Sequence, residues 1–185
     1  MGSDPIGMDR LNMFALVIYI PDPLARFLDE LRRELVPSCV PRAHVSVLPP
    51  RVVKDPKVAC EQSRARARDF APFDVEAGQI EVFPRTDVIY ISVEAGIAQL
   101  GEMHQALNAG ALAYAELFHY QPHITLAQEF DRRDLPRLHE QACLRWADYR
   151  HSRRFRAEVM TFVQNTTCNV WIDLAEFSLG AVTVP

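Results

Sequence analysis

Two short stretches of the chain carry the same arrangement of chemistry: "AHVSVLPP" at residues 43–50 and "PHITLAQ" at residues 122–128. Each writes a histidine, an apolar residue, a hydroxyl residue and another apolar residue. In an extended strand, side chains two apart share a face. His44 and Ser46 then stand on one face with Val45 and Val47 on the other, and His123 and Thr125 likewise oppose Ile124 and Leu126. A neutral imidazole accepts a proton and an imidazolium donates one near neutral pH. A hydroxyl two residues further along can hydrogen-bond an oxygen that gains charge in a transition state. Two such motifs supply a base, an acid and two donors, which is what phosphodiester cleavage by water requires without a metal. His44 and His123 are therefore the candidate catalytic residues, with Ser46 and Thr125 the candidate phosphate-binding ones.

Other reactive residues form no comparable pattern. His119 and His123 are four apart, the spacing of a helical zinc site, but Pro122 opposes a helix there and no Glu adjoins. His104 falls on an amphipathic run, and His139 and His151 in a polar, Arg-rich segment. Neither a metal nor a cofactor is expected. Cys39, Cys60, Cys143 and Cys168 are widely spaced with no Cys-x-x-Cys pair, which reads as reduced thiols and a cytoplasmic protein. Arg42, Arg51 and Arg85 adjoin motif or turn positions and could hold a second phosphate. Tyr19 and Tyr90, each at the end of an apolar strand, suit either core filling or stacking on a base.

The elements that position the motifs follow from periodicity. Met13–Ile20 reads as a buried strand, followed by Asp22 as N-cap, Pro23 at the first helical position and a helix to Pro37. The first motif strand ends at Pro49-Pro50, and a helix follows over about 57–70. Phe73, Val75 and Ala77 alternate, then Ile80 and Val82 alternate in the opposite phase, so a β-bulge at Gly78 is expected. A turn at 84–87, a strand over 88–93 and a helix from Ile97 to Asn108 lead to the second motif strand. Asp134 is positioned to cap a helix to about 147. Phe155, Ala157, Val159 and Val163 read as one alternating strand, and a turn at 165–167 leads to the last strand at Val170–Leu174. Each half thus runs strand, helix, motif strand, helix, strand. A repeated topology would place the two motifs on opposite sides of one groove.

The composition is that of a globular protein, with 49% hydrophobic and 24% charged residues. No apolar run reaches the roughly 18 residues of a membrane span. The first seven residues read as an added leader with Met8 as the natural start. A net charge of −4 opposes a broad nucleic-acid surface and favours a small nucleotide or a short RNA end. Residues 131–156 nevertheless hold eight Arg against four acids, either a solvated face or a phosphate-handling one.

"HVSVLPP", "YQPHITL" and the order of the elements resemble the 2H phosphoesterase superfamily, which includes the 2′-5′ RNA ligase and RNA cyclic phosphodiesterase proteins. Ser46 stands where many members carry Thr, which keeps the donor, and Arg51 stands where an aromatic or apolar residue is often found. The resemblance covers about residues 11–177, with tails at 1–10 and 178–185. It implies a bilobal α+β fold, a pseudo-two-fold duplicated unit with two antiparallel sheets flanking a groove and helices outside. It also implies action without metal on 2′,3′-cyclic or 2′-5′ phosphodiesters, through His44, Ser46, His123 and Thr125; a monomer is expected. The alternative is a binding module that holds a nucleotide or RNA in the same groove without turnover.

Overall fold

The computed structural model describes residues 9–180; the leader expected before Met8 lies outside them. Eight strands and four α-helices follow in the order β1 (Arg10–Tyr19), α1 (Leu24–Leu35), β2 (His44–Arg51), α2 (Pro56–Ala67), β3 (Phe73–Val82), β4 (Ile89–Ala95), α3 (Ile97–Leu107), β5 (His123–Ala127), α4 (Leu135–Asp148), β6 (Arg154–Ala157), β7 (Val159–Thr166) and β8 (Trp171–Ser178). They build two antiparallel four-stranded sheets, β2-β1-β7-β8 and β5-β4-β3-β6. The β-α-β-α unit occurs twice, and in each copy the motif strand is an outer strand of its sheet. β2 and β5 lie against each other where the two sheets meet.

Burial explains why the pattern folds this way. Val45, Val47, Ile124 and Leu126 are each at most 1% exposed and join the main core with Leu28, Leu31, Leu100 and Met103 of the outer helices. The opposite face of the first sheet carries a second, small apolar cluster of Ala15, Val17 and Val163, with Tyr19 and Trp171 packed on it. His44 pairs with Tyr19 and Ser46 with Val17, so that cluster floors the groove into which the first motif looks.

The slip of phase at Gly78 is a β-bulge. Ala77 pairs with Val93 and Ile80 with Ile91, so β3 holds one more residue than β4 between those pairs. A Cβ on Gly78 would lie 2.7 Å from both the Ser92 hydroxyl and Glu94 Cγ, and only glycine permits that approach.

Several local expectations are corrected. The stretch 155–163 is not one strand: β6 pairs with β3, and β7 pairs with β1 in the other sheet. Phe155 and Ala157 are buried, but after the break at Glu158 the core-facing residues are Met160 and Phe162, and Val159 is 38% exposed. β7 is buried on both faces, so it carries no clean alternation to read. β2 does not stop at the double proline but runs through it to Arg51. An outer strand tolerates proline, because no neighbour asks for its missing N–H. Asp22 does not cap α1; its carboxylate accepts from Arg26 N at 3.1 Å, and the helix starts at Leu24. Asp134 makes no side-chain cap either. Asp131 instead accepts from Arg133 N at 2.9 Å, closing the short 3₁₀ turn Arg132–Asp134 that precedes α4. Ser178 ends β8, and Leu179 is still buried in the core.

Candidate active site

His44, Ser46, His123 and Thr125 line one cavity of about 440 Å³ between the sheets, together with Tyr19, Arg42, Gln128 and Asp173. The alternation of β2 and β5 turns all four motif side chains to the groove, each half-buried, while their neighbours enter the core.

The two histidines are held alike. His44 Nδ1 lies 2.7 Å from the Arg42 carbonyl, and His123 Nδ1 lies 2.7 Å from the Gln121 carbonyl. A carbonyl only accepts, so Nδ1 must carry the hydrogen in both rings. The tautomer is thereby set, and Nε2 is the atom left for proton exchange in each. A tyrosine also meets each ring edge-on: Tyr19 at His44 with centroids 6.4 Å apart, and Tyr90 at His123 with 5.5 Å.

Burial disfavours the imidazolium at both positions. It pushes His44 down to about 4; the Arg42 carbonyl opposes this, while the positive charge of Arg32 and of His123 adds to it. Burial likewise lowers His123, opposed by the Gln121 carbonyl. That His123 acts on His44 through space means that the protonation of one ring opposes that of the other. The arrangement therefore opposes charging both rings at once.

Around these matching cores the two sides differ. Beside His44, the Tyr19 hydroxyl donates to Asp173 Oδ1 at 2.6 Å, and Arg42 Nη2 donates to Asp173 Oδ2 at 2.7 Å. The Arg42 guanidinium also lies over the Tyr19 ring, 3.6 Å from its centroid. Burial and the Asp173 carboxylate raise the Tyr19 hydroxyl to about 12, keeping it a donor. Beside His123, Phe83 stacks on Tyr90 at 3.9 Å and meets the imidazole edge-on at 4.9 Å. Both tyrosines thus brace a histidine; Tyr90 is buried, while Tyr19 also faces the cavity.

The arginines resolve differently from the sequence expectation. Arg51 is 2% exposed and holds no phosphate. Its guanidinium donates to Glu116 Oε1 at 2.5 Å, to Asn108 Oδ1 and the Leu112 carbonyl at 2.8 Å, and to the Pro49 carbonyl at 3.0 Å. His104 joins this network through the Val47 carbonyl at 2.9 Å and Glu116 Oε2 at 3.3 Å. Tyr120 stacks on His104 and donates to the Ser46 carbonyl at 2.8 Å. The Arg-rich segment is neutralised by acids from other elements, with Arg132 paired to Asp87, Arg145 to Glu34, Arg154 to Glu76 and Arg156 to Asp74. It presents no cationic face.

Asp173 and Gln128 are polar lining residues that sequence reasoning did not find. Asp173 arrives from β8, far along the chain, with no local pattern to announce it. Gln128 lies one residue beyond the end of β5, so strand alternation no longer governs its direction. The four cysteines are unpaired and none lines the cavity. Among the described residues no helix is long and apolar enough to cross a membrane.

Paired imidazoles and hydroxyls across a groove between two duplicated units define a 2H-type protein. The family model of the 2′-5′ RNA ligase superfamily matches residues 20–167, and the chain belongs to that family. A phosphoesterase-named protein of Oceanobacillus iheyensis is 33% identical over 72 residues, spanning 38% of this chain and 42% of its own. Among solved structures, TT0787 of Thermus thermophilus superposes with a TM-score of 0.61 at 17% identity, covering 92% of this chain and 99% of that one. E. coli LigT complexed with ATP gives 0.63 at 13% identity, covering 91% and 98%. These two likenesses show the shared fold.

Proposed function

We propose that the protein is a metal-independent phosphodiesterase that hydrolyses, or in reverse forms, 2′,3′-cyclic or 2′-5′ phosphodiesters of RNA ends or small nucleotides. The observation that carries this reading is the identical hold on His44 and His123. Each Nδ1–H is tied to a carbonyl two residues back, so each ring offers Nε2 to the same cavity. In the forward reaction, one neutral imidazole takes a proton from water as the water oxygen bonds to phosphorus. The bond from phosphorus to the leaving ribose oxygen breaks, and the other ring, as imidazolium, gives that oxygen its Nε2 proton. The two rings end with exchanged protonation states, which solvent resets, and their roles exchange when the reaction runs backwards. Ser46 and Thr125 hydroxyls donate to the non-bridging oxygens as these gain charge. The E. coli LigT fold relative has been crystallised with phosphate and with 3′-AMP, which supports a nucleotide phosphate as the ligand class.

The test is a substrate panel assayed in excess chelator: nucleoside 2′,3′-cyclic phosphates, 2′-5′ dinucleotides, ADP-ribose cyclic phosphate and oligonucleotides ending in a cyclic phosphate. Turnover of at least one, unchanged by chelator, is expected. Activity that appears only when a divalent ion is restored would sink the mechanism.

A further inference from the structure

Residues 41–43 lie in the loop between α1 and β2, outside any strand. The Arg42 carbonyl in their middle must nevertheless be fixed, because it takes His44 Nδ1–H. Two side chains three apart on α1, and so on one face of it, supply the hold. Arg32 Nη1 donates to the Pro41 carbonyl at 2.6 Å, and Asp29 Oδ1 accepts from Ala43 N at 2.7 Å. Ile20 N, just beyond β1, donates to the Ala43 carbonyl at 3.2 Å. Arg42 is thus gripped from both neighbours, and its own carbonyl is left to the imidazole. The hold on the second motif is of another kind: the Gln121 side chain donates to the Tyr90 hydroxyl at 3.2 Å.

Stability does not account for Arg32. The residue is 4% exposed, its Nη1 lies 3.6 Å from Asp29 Oδ1, and its Nε has no hydrogen-bond partner. A desolvated guanidinium with an orphaned donor is less favourable than a well-packed apolar side chain of similar volume. What Arg32 has is a place, in the wall of the cavity that holds His44. The charged and titratable groups around that ring are Arg32 from α1, Tyr19 from β1, Arg42 from the loop, His123 from β5 and Asp173 from β8. The Arg42 side chain is 58% exposed and paired with Asp173, so water and a carboxylate screen it. Arg32 is buried and acts through protein. Burial first, and then the charge of Arg32 ahead of those of His123 and Arg42, disfavours the His44 imidazolium.

Resting on the phosphodiesterase reading above, we infer that Arg32, with Asp29, is a positioning residue for His44. The pair fixes the carbonyl that sets the tautomer of the ring, and so directs Nε2 into the cavity.

The experiment titrates the His44 and His123 imidazoles by NMR and follows hydrolysis of adenosine 2′,3′-cyclic phosphate. Wild type is compared with Arg32→Met, Arg32→Lys and Arg33→Met. Arg32→Met should raise the His44 midpoint by about one unit and move that of His123 distinctly less. It should lower kcat about tenfold or more, with KM changed less than about threefold. Arg32→Lys keeps the charge and a donor, and should return the midpoint and most of kcat. Arg33 is exposed on the same helix, and Arg33→Met should leave both as in wild type. An unmoved His44, an equal shift at His123, or a kcat within about twofold of wild type overturns the inference. Should Arg32→Met not fold, Arg32→Gln, which keeps a donor for Pro41 and drops the charge, takes its place, and an unmoved His44 there overturns the inference as well. The titration needs no turnover. A His44 shift in a protein whose wild type hydrolyses no substrate upholds the hold on His44, and the phosphodiesterase reading then falls alone.

Discussion

The first-motif and second-motif sides of the groove hold their histidines identically and surround them differently. Each imidazole gives Nδ1–H to a carbonyl two residues back and takes a tyrosine edge-on. Beyond that, His44 sits beside the Tyr19–Arg42–Asp173 cluster, and His123 against the apolar Phe83–Tyr90 stack. The shared part follows from strand geometry and belongs to the repeated unit. The differing part comes from Arg42, in the loop before β2, and from elements outside the repeat: β8 brings Asp173 to one side, and the turn after β3 brings Phe83 to the other. One half surrounds its imidazole with a hydroxyl, a guanidinium and a carboxylate, and the other with stacked aromatic rings.

The largest expected effect tests the equivalence itself. His44→Ala and His123→Ala should each cost about 10²–10⁴-fold in kcat. The double variant should cost less than the product, because both rings act on one transition state. A single-histidine variant with near-normal turnover would remove that residue from the chemistry and break the comparison.

Next in size is the brace that joins the halves. Glu116→Gln leaves the Arg51 guanidinium, whose side chain is 1% exposed, without its carboxylate. The loss is expected to be about 3–5 kcal/mol in denaturant unfolding, the scale for breaking a buried pair from one side. Replacing both members, Arg51→Met with Glu116→Leu, should cost distinctly less, since no orphaned charge remains. If both variants cost the same, packing and not charge holds the segment to β2.

The hydroxyls come third. Thr125→Val keeps the shape and removes the donor, and Ser46→Ala does nearly the same. Each should raise the activation barrier by about 1.5–3 kcal/mol, the value of a hydrogen bond to a charged group. Neither should lower stability appreciably, because both side chains face the cavity. Unequal losses between the two would show which half of the groove carries more of the developing charge.

How much of this was legible in the sequence varied with distance along the chain. The faces of β2 and β5 and the bulge at Gly78 rest on period-two alternation, which is local, and the meeting of the four motif residues in one groove rests on the repeated order of elements. The split at Glu158 was not legible, because β7 is buried on both faces and any alternation read through it is false. Arg51 was misread because a charged residue after a double proline looks like a surface residue. Its partners Asn108 and Glu116 lie 57 and 65 residues away. Asp173 was invisible for the same reason, since Tyr19 and Arg42 are its partners across 154 and 131 residues.

The gentlest prediction concerns pH and reads the two imidazoles directly. Both are lowered by burial, so a pH–rate profile that needs one neutral and one charged ring should sit to the acid side of ordinary imidazole. In kcat/KM, which reports the free enzyme, both limbs should fall below 6.5, the ordinary imidazole value. The limbs belong to the coupled pair and not to either ring. In kcat the bell should move up, because a bound phosphodiester anion favours the imidazolium. The same shift has a stability consequence, and its sign is fixed. Below 6.5 the unfolded chain takes up a proton at His44 that the folded protein refuses until about 4, so stability is lost as pH falls through that window. At most about 3 kcal/mol is involved, the shift converted at 1.36 kcal/mol per unit. Urea unfolding of wild type and His44→Asn at intervals from pH 7 to 4 isolates the contribution from the carboxylates, which titrate in both. Wild type should lose stability more steeply than the variant between 6.5 and 4. Parallel curves would mean that His44 is as free to charge in the folded groove as in water, and the acid-shifted bell would go with it.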